Sequence, residues 1–239
     1  MKTIIIILFT STFCFSQTVN NIDSLAIYSG SSSVTVLGYY SPNDGGGGLF
    51  YLEESTIAGN SDNGIVFNSI DSGKKWVRNI ITDKINVKWF GAKGNGTTPD
   101  HQFINNAIKY IRNNKDNILY IPSGNYLYGS TGGTFLGIED EGLKIQGNGS
   151  SSIITGGAPG NALFKIKGNN IEIKKIAFKQ TTTRNFGLTI ENGAKNIVLD
   201  NLYFKGNFFA SIHLFECSDL QIINSKFNNV LGYQIEQKA

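Results

Sequence analysis

Between Asn161 and Ala239 the chain writes the same short strand three times. Ala162-Leu163-Phe164-Lys165-Ile166, Phe186-Gly187-Leu188-Thr189-Ile190 and Ala210-Ser211-Ile212-His213-Leu214 align without gaps, and Ile166, Ile190 and Leu214 succeed one another at steps of 24. A second strand follows each one: Asn170-Ile171-Glu172-Ile173, Asn196-Ile197-Val198-Leu199 and Asp219-Leu220-Gln221-Ile222, at steps of 26 and 23. A third is seeded by Ile176/Phe178, Leu202/Phe204 and Ser225/Phe227. Three short strands per repeat, joined by turns rich in Gly, Asn, Ser and Asp, make a coil that stacks on itself. The expected fold is all-β, a right-handed parallel β-helix.

Apolar and polar residues alternate along each strand, so Leu188 and Ile190 point inward and Thr189 outward. Coils then lie about 4.8 Å apart, with like positions above one another. Asn170, Asn196 and Asp219 fall together at the corner before the second strand. Asn and Asp tolerate left-handed backbone there and bond neighbouring main chain. An antiparallel all-β domain also accounts for short strands with turn signals, but not for the regular return.

With 239 residues, 40% hydrophobic and 16% charged, the chain can bury a core of its own. The formal net charge is +3, with no clustered basic face evident in sequence, which argues against a nucleic-acid partner. Lys174 and Lys175, with Lys165, Lys167 and Lys179 nearby, read as a solvated face. Residues 1–17 have the pattern of a secretory signal peptide: Lys2, an apolar Ile4 to Phe9, and Ser16 before the cut. That run is too short to span a membrane, so no membrane association is expected after its removal. Cys217 is then the only thiol left and reads as a packed small residue. Two separated histidines, His101 and His213, give no metal-ligating cluster, and no cofactor is evident.

Ahead of the repeats, Val34 to Leu37 and Gly48 to Tyr51 flank Pro42-Asn43-Asp44-Gly45-Gly46-Gly47-Gly48. Without a following Lys-Ser/Thr and a helix this is a tight loop and not a phosphate cradle. With Gly64-Ile65-Val66-Phe67 and Gly73 to Arg78, the segment resembles the small lead-in domain that precedes β-helices in phage tailspike-like and secreted pectate-lyase-superfamily proteins. Further on, Phe90-Gly91-Ala92-Lys93-Gly94-Asn95-Gly96 leads to a helical pattern with Phe103, Ile104, Ala107, Ile108 and Ile111 on one face. Thr98 is expected as N-cap and Pro99 as the first helical residue. The helix serves as a cap over the apolar end of the coil.

That order, followed by Ile121-Pro122-Ser123-Gly124-Asn125-Tyr126, resembles the start of the pectate-lyase-like superfamily, the branch of rhamnogalacturonases, polygalacturonases and epimerase-like domains. It departs at Asn95 and Pro99, where that family more often places Asp. The expected domains are a leader at 1–17, a β-rich lead-in at 18–84 and a parallel β-helix at 85–239. The chain ends on Tyr233 to Ala239, which looks like the opening strand of another coil, so missing coils or a second chain, as in a homotrimer, are expected to cover that end.

The resemblance implies a secreted, periplasmic or surface protein acting on polysaccharide, as glycoside hydrolase or polysaccharide lyase; the alternative is a non-catalytic glycan-binding module or a structural fragment. Hydrolysis needs two carboxylates roughly 5 to 9.5 Å apart. A lyase needs a base and a group that neutralises the sugar carboxylate, such as Arg, Lys or Ca²⁺. The positions matching the polygalacturonase motifs hold Asn185-Phe186 and Phe209-Ala210-Ser211, with neither acid nor imidazole. Candidate catalytic residues are therefore His213 with Glu191, Glu216 and Arg184. Candidate substrate-binding residues are Lys165, Thr189, Lys167 and Gln234, with Lys165, Thr189, His213 and Gln234 expected as one outward ladder and Lys167 paired with Glu191. Ca²⁺ enters only for a lyase.

Overall fold

A computed structural model describes residues 17–114, 118–128, 136–139, 141–156, 161–228, 230 and 232–237; at 128, 136 and 181–185 it describes the backbone alone. All but the last residue of the expected leader lies outside the described residues.

The repeats stack as a right-handed parallel β-helix. Ile138, Ile166, Ile190 and Leu214 stand in one column. Ile85, Leu119, Ile145, Ile173, Leu199 and Ile222 stand in a second, and Tyr126, Ile154, Phe178, Phe204 and Phe227 in a third. Because equivalent residues lie above one another, the third column becomes a ring stack. The Phe178 and Phe204 centroids are 5.1 Å apart at 12°, and those of Phe204 and Phe227 5.2 Å apart at 6°. Aromatic pairs of this kind add about 0.5–1.5 kcal/mol beyond the area they bury.

The three strands per coil belong to only two hydrogen-bonded sheets, one of nine strands and one of six. The third strand of one coil runs on into the first strand of the next, as Ala177–Ile190 and Tyr203–Leu214. Gly206 permits this close fit: its φ is 109°, and a Cβ there would lie 1.8 Å from the Gln180 carbonyl oxygen.

Two corners per coil use left-handed backbone. Asn170, Asn196 and Asp219 have φ of 56°, 53° and 54°, as the sequence suggests, and Lys175, Asn201 and Asn224 repeat the device at the next corner with 58°, 53° and 52°. The side chains also link coils. Asn196 Nδ2 donates to Asn170 Oδ1 at 2.6 Å, and Asn224 Nδ2 donates to Asp200 Oδ1 at 2.9 Å.

The cap helix spans His101–Arg112 and buries Ile104, Ala107, Ile108 and Ile111, with Phe103 half-buried. Its start differs from expectation. Thr98 and Pro99 end a strand, Asn95–Pro99, that pairs with Gly124–Tyr128, and Asp100 is the N-cap residue. The fully buried Asp100 carboxylate makes no helix cap bond; it accepts from the Lys93 and Gly94 amides at 2.6 and 3.2 Å. Burial pushes its pKa up, against those backbone donors.

The lead-in is a five-stranded sheet in which Ser33–Val36, Gly48–Glu54, Val66–Asn68 and Lys74–Arg78 pair antiparallel and Thr18–Val19 adds a parallel edge. The glycine run is a close approach: a Cβ at Gly46 would lie 2.7 Å from the Lys88 carbonyl oxygen, and one at Gly47 would lie 2.4 Å from that of Val36. Arg78, 3% exposed, donates from Nε to Gly64 O at 2.9 Å, from Nη1 to Gly47 O at 2.7 Å and from Nη2 to Gly46 O at 2.9 Å. Its guanidinium lies 4.5 Å from the Phe50 ring and 4.9 Å from that of Trp89, which belongs to the entrance of the β-helix. Burial lowers its pKa to about 9, with the Asp62 carboxylate pulling the other way.

Arg78→Met strands three carbonyls and is expected to cost about 3 kcal/mol; a denaturation midpoint matching the parent would show the rivet unnecessary. Asn196→Val is expected to cost about 1–2 kcal/mol through its left-handed backbone, with Asn196→Gly costing less. Chemical denaturation of both checks the corner, and equal stability of the two variants would contradict it.

Candidate functional site

The outer face of the strand column that carries the threefold repeat forms a shallow groove of about 200 Å³. Its floor follows from one irregularity of the backbone. The ladder pairs Ala162 with Phe186 and Phe164 with Leu188, then Phe186 with Ala210 and Leu188 with Ile212, skipping the residue between. At that bend Leu163, Gly187 and Ser211 turn inward: Leu163 and Ser211 are fully buried, and a Cβ on Gly187 would meet the core ring of Phe204. Phe186 is thereby released to the outer face, beside Thr189 and His213.

His213 is nearly buried there, at 5% exposure. Its ring stacks on Phe186 at 4.5 Å and 14° and meets Phe215 edge-on at 4.8 Å and 61°. His213 Nε2 lies 3.8 Å from Glu236 Oε2. The outward ladder is therefore Lys165, Thr189, His213 and Glu236. Gln234 does not belong to it. The last step, Leu214 to Gln237, is one residue shorter than those before, and Gln234 falls at the inward bend, between Tyr233 opposite Ala210 and Ile235 opposite Ile212.

Of the remaining candidates, Lys165 and Glu191 come together, Nζ to Oε1 at 2.6 Å, across one coil and along a diagonal. The Lys167–Glu191 pair expected from simple alignment is replaced, because Lys167 reaches Glu139 at 3.1 Å. Both pairs are solvent-accessible, so each contributes under about 1 kcal/mol. Thr189 is 6% exposed despite its outward direction and lines the groove with Phe186, His213 and Phe215. Glu216 sits in an exposed turn between Leu214 and Ser218, away from the groove lining, where its carbonyl accepts from Gly193 N at 2.8 Å. Arg184 lies on the strand Ala177–Ile190 at a register shift, and its side chain is outside the described residues. Cys217 packs partly against the core, and burial pushes its thiol pKa up, away from nucleophilic character.

Chemically the groove is an aromatic and imidazole platform with one ion pair at its rim. Phe186, whose ring lies 5.7 Å from that of Phe209, is not found from sequence as a site residue, since parity along a straight strand sends position 186 inward; Phe215 follows from its place two residues beyond His213 on the outward face. Glu191 is the single carboxylate among the lining residues, and Lys165 engages it. Two facing acids, as hydrolysis requires, are not present among the residues that line the groove. Nor does this donor set fit Ca²⁺, which takes six to eight oxygens at about 2.3–2.6 Å: Glu191 and Glu236 each face a cationic or imidazole partner.

Comparison with curated protein sequences finds no match. Among solved structures, the tailspike protein of the Acinetobacter phage vB_ApiP_P1 is similar at TM-score 0.59 and 19% identity, over 93% of this chain and 39% of that one. Pantoea stewartii WceF, described as a glycan biofilm modifying enzyme with a bacteriophage tailspike-like parallel β-helix fold, matches at TM-score 0.55 and 15% identity, over 89% and 41%. Tailspike gp49 of the Acinetobacter baumannii bacteriophage Fri1, described as a capsular polysaccharide depolymerase, matches at 0.52 and 11%, over 90% and 59%. The chain thus spans less than two thirds of the length of each of these proteins, and the likeness is one of fold. Residues 18–82 match the profile of the phage tail protein small four-stranded β-sheet domain. Residues 84–238, well over half of the chain, match the rhamnogalacturonase A/epimerase, pectate lyase-like profile, and the chain belongs to that family.

Proposed function

We propose that the chain handles polysaccharide outside the cell and that the groove over Phe186, His213 and Phe215 is a saccharide-recognition surface. The observation that carries this reading is the half-buried Phe186 ring, stacked on His213 in the groove lining with Phe215, Lys165 and Glu191 beside it. Flat apolar rings bind the C–H faces of sugars, and a rim ion pair offers donors and acceptors to their hydroxyls. The tailspike-like relatives described as modifying biofilm glycan or depolymerising capsular polysaccharide support the ligand class. A secreted, periplasmic or surface location follows from that class and from the leader-like residues 1–17; among the described residues no helix is long and apolar enough to cross a membrane. Assembly as a homotrimer belongs to the same proposal, and light scattering of the purified chain measures it.

A second reading, a lyase, is favoured by the 3.8 Å approach of His213 Nε2 to Glu236. The Glu236 carboxylate would orient the imidazole to accept the proton α to a uronic carboxylate while the C4–O bond breaks and the sugar on that oxygen departs, and Lys165 would neutralise the uronate. The imidazole is covered by its aromatic neighbours, so the recognition reading needs less rearrangement.

The two readings separate in one experiment on the full chain with acidic and neutral polysaccharides, with and without Ca²⁺. Recognition predicts retardation of a glycan in affinity electrophoresis with no unsaturated product and no new reducing ends. Phe186→Ala is expected to weaken that binding about tenfold, the equivalent of roughly 1.4 kcal/mol. Unsaturated product that disappears in His213→Ala would establish the lyase instead. New reducing ends without unsaturation would contradict both.

A further inference from the structure

A second cleft, of about 500 Å³, opens on the outer face of the third-strand column, lined in part by Lys179, Lys205, Lys226, Tyr203, Asn201 and Ser150. Its composition follows from the coil register. Lys179 stands directly opposite Lys205 on the next coil, and Tyr203 opposite Lys226 on the one after. The inward residues between them are Phe178, Phe204 and Phe227, so each coil presents a lysine outward from a position anchored by a core ring. No acidic residue lines the cleft.

These lysines differ from three others of the solenoid. Lys165, Lys167 and Lys174 each reach a carboxylate at 2.6 to 3.1 Å. Among the described residues, Lys179, Lys205 and Lys226 have no carboxylate within ion-pair distance. Like charges directly opposite on adjacent strands repel, so the Lys179–Lys205 pair carries a cost that an external anion relieves. Asn228 Nδ2 donates to the Tyr203 hydroxyl at 2.9 Å, which fixes the tyrosine at the cleft edge. Ser150 and Asn201 add neutral polar groups beside the cations.

We infer that this cleft binds an anionic saccharide chain, carboxylate- or sulfate-bearing, laid along the solenoid axis so that successive anionic groups meet successive coils. Three lysines with flanking hydroxyl and amide groups suit a charged sugar, whereas tight nucleic-acid binding draws on about 6–10 phosphate contacts. The saccharide class rests on the function proposed above; the site itself rests on the lysine column and lies at the opposite end of the long strands from His213.

The test is calorimetric titration of the full chain with a hexamer of galacturonic acid, a sulfated oligosaccharide of equal length, a neutral hexamer and an oligo-thymidylate. At least one anionic oligosaccharide is expected to bind, at least about fivefold more weakly when salt rises from about 50 to about 200 mM. Lys179→Gln with Lys205→Gln should weaken it about tenfold and Lys205→Arg should retain most of it, as a charge-dependent site requires. Both lysines are solvent-accessible, and unchanged melting midpoints will confirm that the variants fold. Which anionic probe responds identifies carboxylate or sulfate. Unchanged binding by the double variant, absence of anionic binding in the parent, equal affinity for the neutral hexamer, or tighter binding of the oligo-thymidylate would each overturn the proposal. Phe186→Ala separates the two sites. Anionic binding lost there but kept in the lysine variants sinks this cleft and leaves the groove standing; the reverse pattern places the anion in this cleft and leaves the groove to the electrophoretic test of Phe186→Ala.

Discussion

A parallel coil closes only if its corners bend the backbone the same way in every turn, and here that bend is left-handed at two positions per coil. Ordinary L-residues resist it by roughly 1–2 kcal/mol. Asn and Asp resist it less, because a short polar side chain can bond locally, and five of the six corner positions from 170 to 224 carry one of them. Everything inside depends on these corners. They hold each strand in register with the strand of the preceding coil, and a slip of one residue would turn Phe178 and Phe204 outward together. The Phe178–Phe204–Phe227 stack is thus a result of the corners as much as a cause of stability.

The ends of a solenoid pose the opposite problem, since backbone groups there lack the next coil. Two buried charged side chains meet it. Asp100 receives the amides of Lys93 and Gly94 where the chain turns into the cap helix. Arg78 supplies three donors to carbonyls of the glycine-rich loop and Gly64, then presents its faces to Phe50 and Trp89. A buried charge is costly alone, but a buried unpaired carbonyl also costs about 1–3 kcal/mol, and here one guanidinium satisfies three. Arg78 thus joins the lead-in sheet to the β-helix, beside the Tyr40 hydroxyl on Gly91 O and Lys88 Nζ on Asp44 O.

The period of the sequence reveals what is repeated and conceals what interrupts the repetition. The three strand columns, the Asn170/Asn196/Asp219 corner and the apolar face of the cap helix were legible because each recurs at a fixed step. The helix start was not: Thr98-Pro99 is a sound start signal locally, but the strand pairing of Asn95–Pro99 and the use of Asp100 by the preceding turn outweigh it. Gln234 was misplaced because the last coil is one residue short, and Phe186 because the inward bend at Leu163, Gly187 and Ser211 breaks strict alternation. The lysine column was in plain view as Phe178-Lys179 and Phe204-Lys205. Sequence alone groups Lys179 with Lys174 and Lys175 as one solvated face, whereas Lys174 is paired with Glu172 and Lys179 stands opposite Lys205.

The two outer surfaces show how one scaffold supports different chemistries without altering its core. On the first-strand column charge is balanced within the protein: Lys165 meets Glu191 and His213 approaches Glu236, which leaves rings as the main feature offered to a ligand. On the third-strand column it is left unbalanced. Two unit charges roughly 5 Å apart repel by about 0.8 kcal/mol even in water, and more beside a low-dielectric wall. Nothing in the packing of Phe178 and Phe204 requires lysine at the next position, since an outward residue of any polarity would leave the stack intact. The repulsion is therefore separable from the fold, and its relief by a bound anion would be available as binding free energy. Outward positions of a solenoid are free in this sense, and their charge pattern carries information about ligands that the core columns do not.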